Sequence, residues 1–119
     1  MKKILVADDS EFMRKILIDI IKQSNWKDAE VIQASNGVEA IEKFGTDKPD
    51  LILLDILMPE KDGIAVLKEI GSLAASVVIV SAVGQQEVID QATSLGAKNY
   101  IVKPFDAKQV IETLNALAS

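Results

Sequence analysis

The chain has 119 residues, enough to bury a real core in one domain over residues 1–119 and too few for a separate output module. It contains no Cys and no His, which excludes disulfides, Cys/His zinc sites, thiol nucleophiles, Ser-His-Asp triads and a phosphohistidine carried on this chain. Its 13 basic and 18 acidic residues give a net charge of −5, which argues against generic nucleic-acid binding but leaves room for a hard cation held by carboxylates.

Met1-Lys2-Lys3 leads into the first apolar run, Ile4–Ala7, which ends at Asp8 and is too short for a signal peptide. No apolar run approaches the length of a membrane span, so a cytoplasmic protein with no membrane association is expected. Met13, Ile16, Leu17, Ile20 and Ile21 then recur at helical spacing. Val31–Ala34 is the second strand-like run. Asn36-Gly37 opens a second helix carrying Ala40, Ile41 and Phe44, and Lys48-Pro49-Asp50 breaks the chain before the third run, Leu51–Leu54.

Asp62-Gly63 opens a third helix with Ile64, Leu67 and Ile70. Val77–Val80 is the fourth run, followed by a helix with Val88, Ala92 and Leu95 that Gly96 closes. Tyr100–Val102 is the fifth, and Ala107, Val110, Ile111, Leu114 and Leu117 mark the last helix, after which Ser119 leaves no linker. Four of the five runs, all but Val31–Ala34, lack polar alternation, as strands covered on both faces do. Five βα units predict an α/β fold, a doubly wound parallel five-stranded sheet of flavodoxin-like order 2-1-3-4-5.

In that order the ligand crevice lies at the carboxyl ends of the strands, where strand order reverses between the first and third. Asp8-Asp9 ends strand 1, Asp55 ends strand 3, Ser81 ends strand 4 and Lys103 ends strand 5. Singly, each has an ordinary explanation: a helix N-cap for Asp9 or Ser10, a loop residue for Asp55, a turn for Ser81, a solvated lysine for Lys103. Together they put three carboxylates at one edge, which repel unless a cation or protonation relieves them. A divalent metal with oxygen ligands, Mg²⁺, is the economical explanation. A carboxylate on Mg²⁺ with a lysine and a hydroxyl nearby suits a phosphoryl group, and Asp oxygen is a competent nucleophile toward phosphorus.

The sequence resembles the response-regulator receiver family, and its chemotaxis members most closely. The resemblance rests on Asp8-Asp9-Ser10-Glu11-Phe12-Met13-Arg14, Asp55-Ile56-Leu57-Met58-Pro59-Glu60-Lys61-Asp62-Gly63, Ser81-Ala82 and Tyr100-Ile101-Val102-Lys103-Pro104-Phe105, in order along the whole chain. It implies that Asp55 accepts a phosphoryl group from a phosphohistidine on a partner histidine kinase. Asp9, Asp55 and the backbone carbonyl of Leu57 would bind Mg²⁺ directly, and Asp8 largely through metal-bound water. Lys103 would pair with the phosphoryl oxygens, Ser81 would move to hydrogen-bond them, and Tyr100 would turn inward behind Ser81, reshaping the face made by helix 4, strand 5 and helix 5. The resemblance also implies a cis Lys103-Pro104 bond.

The expected protein is therefore a phospho-acceptor switch that catalyses its own phosphoryl transfer and dephosphorylation, rather than an enzyme with a separate substrate. It is expected to act as a monomer toward a downstream protein such as a motor switch or an adaptor, in chemotaxis. A phosphorelay intermediate or a receiver excised from a larger regulator is the alternative. Leu57 and Val83 are apolar where family members often carry polar side chains, which predicts slow to moderate loss of the phosphoryl group. From Gln86 onward, leaving Lys103 aside, Glu87, Asp90, Asp106 and Glu112 outnumber Lys98 and Lys108, so like charge disfavours an acidic partner peptide and a basic adaptor fits better.

Among other classes, a flavodoxin needs a Ser/Thr/Gly-rich phosphate loop where this chain has Asp8-Asp9. A haloacid-dehalogenase-type phosphatase needs a second Asp where Leu57 stands, and a P-loop enzyme needs a Gly-x-x-x-x-Gly-Lys that does not occur.

Overall fold

A computed structural model describes residues 2–74 and 76–118; Met1 and Ser119, named above at the two ends, lie outside the described residues. Strands and helices alternate as β1 (Lys3–Ala7), α1 (Glu11–Ile21), β2 (Glu30–Ala34), α2 (Gly37–Asp47), β3 (Leu51–Leu54), α3 (Gly63–Ile70), β4 (Val77–Ser81), α4 (Gln86–Ser94), β5 (Asn99–Val102) and α5 (Ala107–Ala116). The strands pair in parallel in the order β2-β1-β3-β4-β5, as the alternation of apolar runs and amphipathic segments predicts.

The central strands are apolar except for Lys3 and Ser81 at their ends because both faces are covered. On one face Leu5, Ile52, Leu54 and Ile79 pack with Val66, Leu67, Ile70 and Ala92 of α3 and α4. On the other, Ile4, Val6, Leu51, Leu53, Val78 and Val80 pack with Leu17, Ile20 and Ile21 of α1 and Val110 and Leu114 of α5. Every residue of β3 is at most 1% exposed. Each such side chain contributes roughly 1.5–3 kcal/mol on leaving water, so β3 and the Asp55 that follows it sit on a strongly held part of the sheet.

The last strand departs from the sequence expectation. Tyr100–Val102 reads as covered on both faces; β5 is the sheet edge, as the predicted order requires, but only Ile101 of it is fully buried, and Val102 is 38% exposed. Three residues are too few for periodicity to separate a partly covered strand from a fully covered one.

Capping starts the helices where the site needs them. Ser10 accepts from the Met13 amide, Asn36 from Glu39, Asp62 from Ala65 and Asp106 from Lys108, each satisfying an otherwise unpaired N–H of a first turn. Ser10, rather than Asp9, is thus the cap of α1, and this leaves the Asp9 carboxylate uncommitted to the helix. Gly63 is required for a different reason: a Cβ there would lie 2.3 Å from the Asp55 carbonyl oxygen. Its amide donates to the Ile56 carbonyl at 2.8 Å, closing the loop from Asp55 to α3.

Candidate phosphoryl and metal site

Parallel strands deliver Asp8, Asp55, Ser81 and Lys103 to one edge because each immediately follows or ends its strand in register. β1 and β3 pair through Ala7 and Leu54, so Asp8 and Asp55 leave the sheet side by side, and the Asp55 amide donates to the Ala7 carbonyl at 3.0 Å. Ser81 pairs with Val102, which places Lys103 next along, its own amide donating to the Ser81 carbonyl at 2.8 Å.

Lys103 Nζ stands 2.7 Å from Asp8 Oδ2 and 3.0 Å from Asp55 Oδ2. Asp8 and Asp55 are 1% and 5% exposed, so the ammonium bridges two buried carboxylates. The remaining oxygens are also held: Asp8 Oδ1 accepts from the Ser10 amide at 2.9 Å, and Asp55 Oδ1 from the Leu57 amide at 3.2 Å. Burial raises the Asp8 carboxyl above the ordinary carboxylate range, against the opposing pull of Lys103 and the Ser10 amide. Burial alone would lower the Lys103 ammonium, but its hydrogen bonds to Asp8 and Asp55 and their charges outweigh it, and the net direction is up.

Asp9 is exposed, and no side-chain hydrogen bond or ion pair engages its carboxylate among the described residues. Oxygens of Asp8, Asp9 and Asp55 nonetheless lie within 4.8 Å of one another. Three carboxylate oxygens at that spacing, with one lysine to offset them, form a donor set of the chemistry a hard divalent cation takes. The residues present therefore fit Mg²⁺. Leu57, whose amide is held by Asp55, is in the loop beside them and is 57% exposed.

Ser81 is fully buried, and its hydroxyl oxygen accepts from the Val83 amide at 3.3 Å. Tyr100, half-buried on β5, donates its hydroxyl to the Val83 carbonyl, so the loop after β4 is gripped from both sides. Burial, and secondarily the charge of Asp55, raises the Tyr100 phenol above its ordinary value. The Lys103-Pro104 bond is cis.

The sequence profile of the response regulator receiver domain matches residues 4–115. The chain belongs to that family. Curated relatives of this receiver domain include the chemotaxis protein CheY of Thermotoga maritima, 43% identical over 119 residues and covering 98% of each chain. CheY of Bacillus subtilis is 44% identical over 115 residues, covering 95% of this chain and 94% of the relative. Among solved structures, the CheX-CheY-BeF3-Mg²⁺ complex from Borrelia burgdorferi superposes with a TM-score of 0.88 at 31% identity, covering 99% of this chain and 90% of that one. The protein is thus a receiver domain closely related to the single-domain chemotaxis regulators, a family that histidine kinases phosphorylate.

All the side chains singled out from sequence at the strand ends lie at this edge. What sequence reasoning passed over is Arg14, which was only part of a matched segment. Its Nη1 donates to the Asp8 carbonyl at 2.7 Å and its Nε to Gln33 Oε1 at 2.9 Å. The available signal was its spacing: four residues after the Ser10 cap, it lies one turn into α1, within reach of the strand ends.

Proposed function

We propose that Asp55 is the phosphoryl acceptor of this receiver domain, that Asp8, Asp9, Asp55 and the Leu57 carbonyl hold Mg²⁺, and that Lys103, Ser81 and Tyr100 read the result. The observation that carries the reading is the Lys103 bridge: one ammonium within 3.0 Å of both Asp8 and Asp55, in a cluster whose third carboxylate, on Asp9, has no partner of its own. The likeness to a CheY solved with Mg²⁺ and BeF3 supports the same reading.

An Asp55 oxygen forms the new O–P bond as the P–N bond to a phosphohistidine on the kinase breaks; the electron pair stays with the imidazole, which takes up a proton. Bound Mg²⁺ would neutralise charge on the phosphoryl oxygens. Lys103 is already poised beside Asp55 and can exchange a carboxylate oxygen for a phosphoryl oxygen without leaving the cluster. Ser81 holds its hydroxyl at the neighbouring strand end, where turning toward the phosphoryl group breaks its bond from the Val83 amide. That loosens the loop Tyr100 also grips, and the change passes to α4, β5 and α5. The phosphoryl group thus shifts a population between two arrangements of one loop.

The partners are a histidine kinase upstream and a motor-switch or adaptor protein downstream, with the protein acting as a monomer in the cytoplasm. Among the described residues no helix is long and apolar enough to cross a membrane. Glu87, Asp90, Asp106 and Glu112 are all exposed, as are Lys98 and Lys108, so the output face favours a basic partner surface.

Incubation with Mg²⁺ and acetyl phosphate, followed by intact mass measurement, is expected to show one added phosphoryl group that EDTA prevents. Modification of Asp55→Asn at the wild-type level would overturn the assignment.

A further inference from the structure

The Asp9 carboxylate poses a positioning problem. It is exposed and, among the described residues, unpartnered, yet a cation site needs its oxygen aimed at Asp8 and Asp55. Its direction must therefore be set through its backbone. The Asp8 carbonyl and the Asp9 amide belong to one planar peptide unit, so whatever holds that carbonyl also orients the Asp9 backbone from which the side chain departs. Arg14 Nη1 holds it, at 2.7 Å.

The guanidinium is in turn fixed in its plane by Nε donating to Gln33 Oε1 at 2.9 Å, and the main-chain carbonyl of Gln33 accepts from Lys43 Nζ at 2.8 Å. Asp8 is otherwise tied at its amide to the Ala34 carbonyl, at Oδ1 to Ser10 and at Oδ2 to Lys103. Arg14 closes the last of its polar groups. The planar, forked guanidinium suits this task, since two donors in fixed relation leave the carbonyl little freedom.

We infer that Arg14, steadied by Gln33, is a positioning residue for the metal site: it locks the Asp8–Asp9 peptide so that the exposed Asp9 carboxylate is preorganised for Mg²⁺. The inference rests on the proposed metal reading and adds a residue outside the ligand set. Groups behind metal ligands typically contribute about 10–100-fold to metal affinity.

The sign of the effect separates positioning from charge. Removing a cation from the neighbourhood of a cation site would, by relief of Coulomb repulsion alone, tighten metal binding. Loss of preorganisation weakens it. Arg14→Met keeps the apolar stem and removes both donors. Gln33→Ala changes no charge and sits at an exposed position on the edge strand β2, so it provides a second variant with little risk to folding.

The test is binding of Mn²⁺ to the metal-free protein, read from the loss of the free-ion electron paramagnetic resonance signal, with Mg²⁺ titration by calorimetry alongside. Arg14→Met is expected to weaken binding by about 10–100-fold, and Gln33→Ala to weaken it by a smaller factor in the same direction. Unchanged or tighter binding in Arg14→Met that retains wild-type circular dichroism, or wild-type binding in Gln33→Ala should Arg14→Met not fold, would overturn the inference. Asp9→Asn separates the two levels. If wild type and Asp9→Asn bind Mn²⁺ alike, the metal reading itself fails and takes the Arg14 role with it. If Asp9→Asn loses binding while Arg14→Met does not, only the Arg14 role fails.

Discussion

Replacing Asp9 by Asn should make the metal-free protein more stable and the Mg²⁺-loaded protein less stable than wild type. The substitution keeps the shape of the side chain and removes one charge. In the metal-free chain that charge lies within 4.8 Å of both Asp8 and Asp55. At this separation a pair of like charges costs about 0.9 kcal/mol in a water-like dielectric and about 3.5 kcal/mol at the effective value typical near a protein surface. Asp9 is exposed and Lys103 offsets part of the negative field, so the lower figure governs and a gain of about 1 kcal/mol is expected.

With Mg²⁺ at a hundred times its dissociation constant, wild type gains about 2.7 kcal/mol by mass action, while the Asn variant, short of one anionic ligand, gains little. The order of stability therefore reverses between EDTA and saturating Mg²⁺. Urea denaturation followed by Trp26 fluorescence resolves both, since about 1 kcal/mol moves the midpoint by roughly 0.3–1 M. A lower midpoint for Asp9→Asn in EDTA would mean that the carboxylate makes a stabilising contact of its own. An equal Mg²⁺ increment in both proteins would remove Asp9 from the metal site.

Three further outcomes follow from the same geometry. Leu57, exposed beside Asp55, and Val83, packed at the loop after β4, offer no polar side-chain atom to orient an attacking water, so Leu57→Asn with Val83→Glu should shorten the lifetime of the aspartyl phosphate by up to about 100-fold, measured by decay of the modified mass after removal of phosphodonor. An unchanged lifetime would refute this. Gly63→Ala puts a Cβ 2.3 Å from the Asp55 carbonyl oxygen and 2.8 Å from the Ile56 Cα, both backbone, so it should cost about 1–3 kcal/mol in urea and slow modification by acetyl phosphate. Tyr100 is the one tyrosine in the chain, so its ionisation can be followed by absorbance. It should titrate above 10.0, and in Asp55→Asn its value should fall part of the way back, because burial is the larger cause and the Asp55 charge the smaller. A folded-state value raised above the unfolded one means that the associated stability is present below pH 10 and is lost as pH rises through the folded value.

What could be read from the chain depended on whether the information was local. Strand runs, caps such as Asn36 and Asp62, and the Gly63 that opens α3 are short-range signals, and they appear where the spacing puts them. The site was legible for a topological reason: once five βα units imply a parallel sheet of known order, residues at strand ends are neighbours in space however far apart in sequence, as Asp8 and Lys103 are, 95 positions apart. That β5, an edge strand in the predicted order, has partly exposed faces was not legible, because its few apolar residues carry no period. Nor was the grip of Arg14 on the Asp8 carbonyl, because a bond to a main-chain oxygen leaves no complementary residue to find. The same distinction bears on how the switch is built. Apart from the Leu57 carbonyl, the groups proposed to touch the phosphoryl oxygens or the metal are side chains that can exchange partners, whereas those that set their direction, the Leu57 amide on Asp55, the Ser10 amide on Asp8 and the Asp8 carbonyl under Arg14, are main-chain groups. In the proposed switch the rearrangement falls to Lys103, Ser81 and Tyr100, on the two strands at one side of the sheet, while the acidic side stays in place.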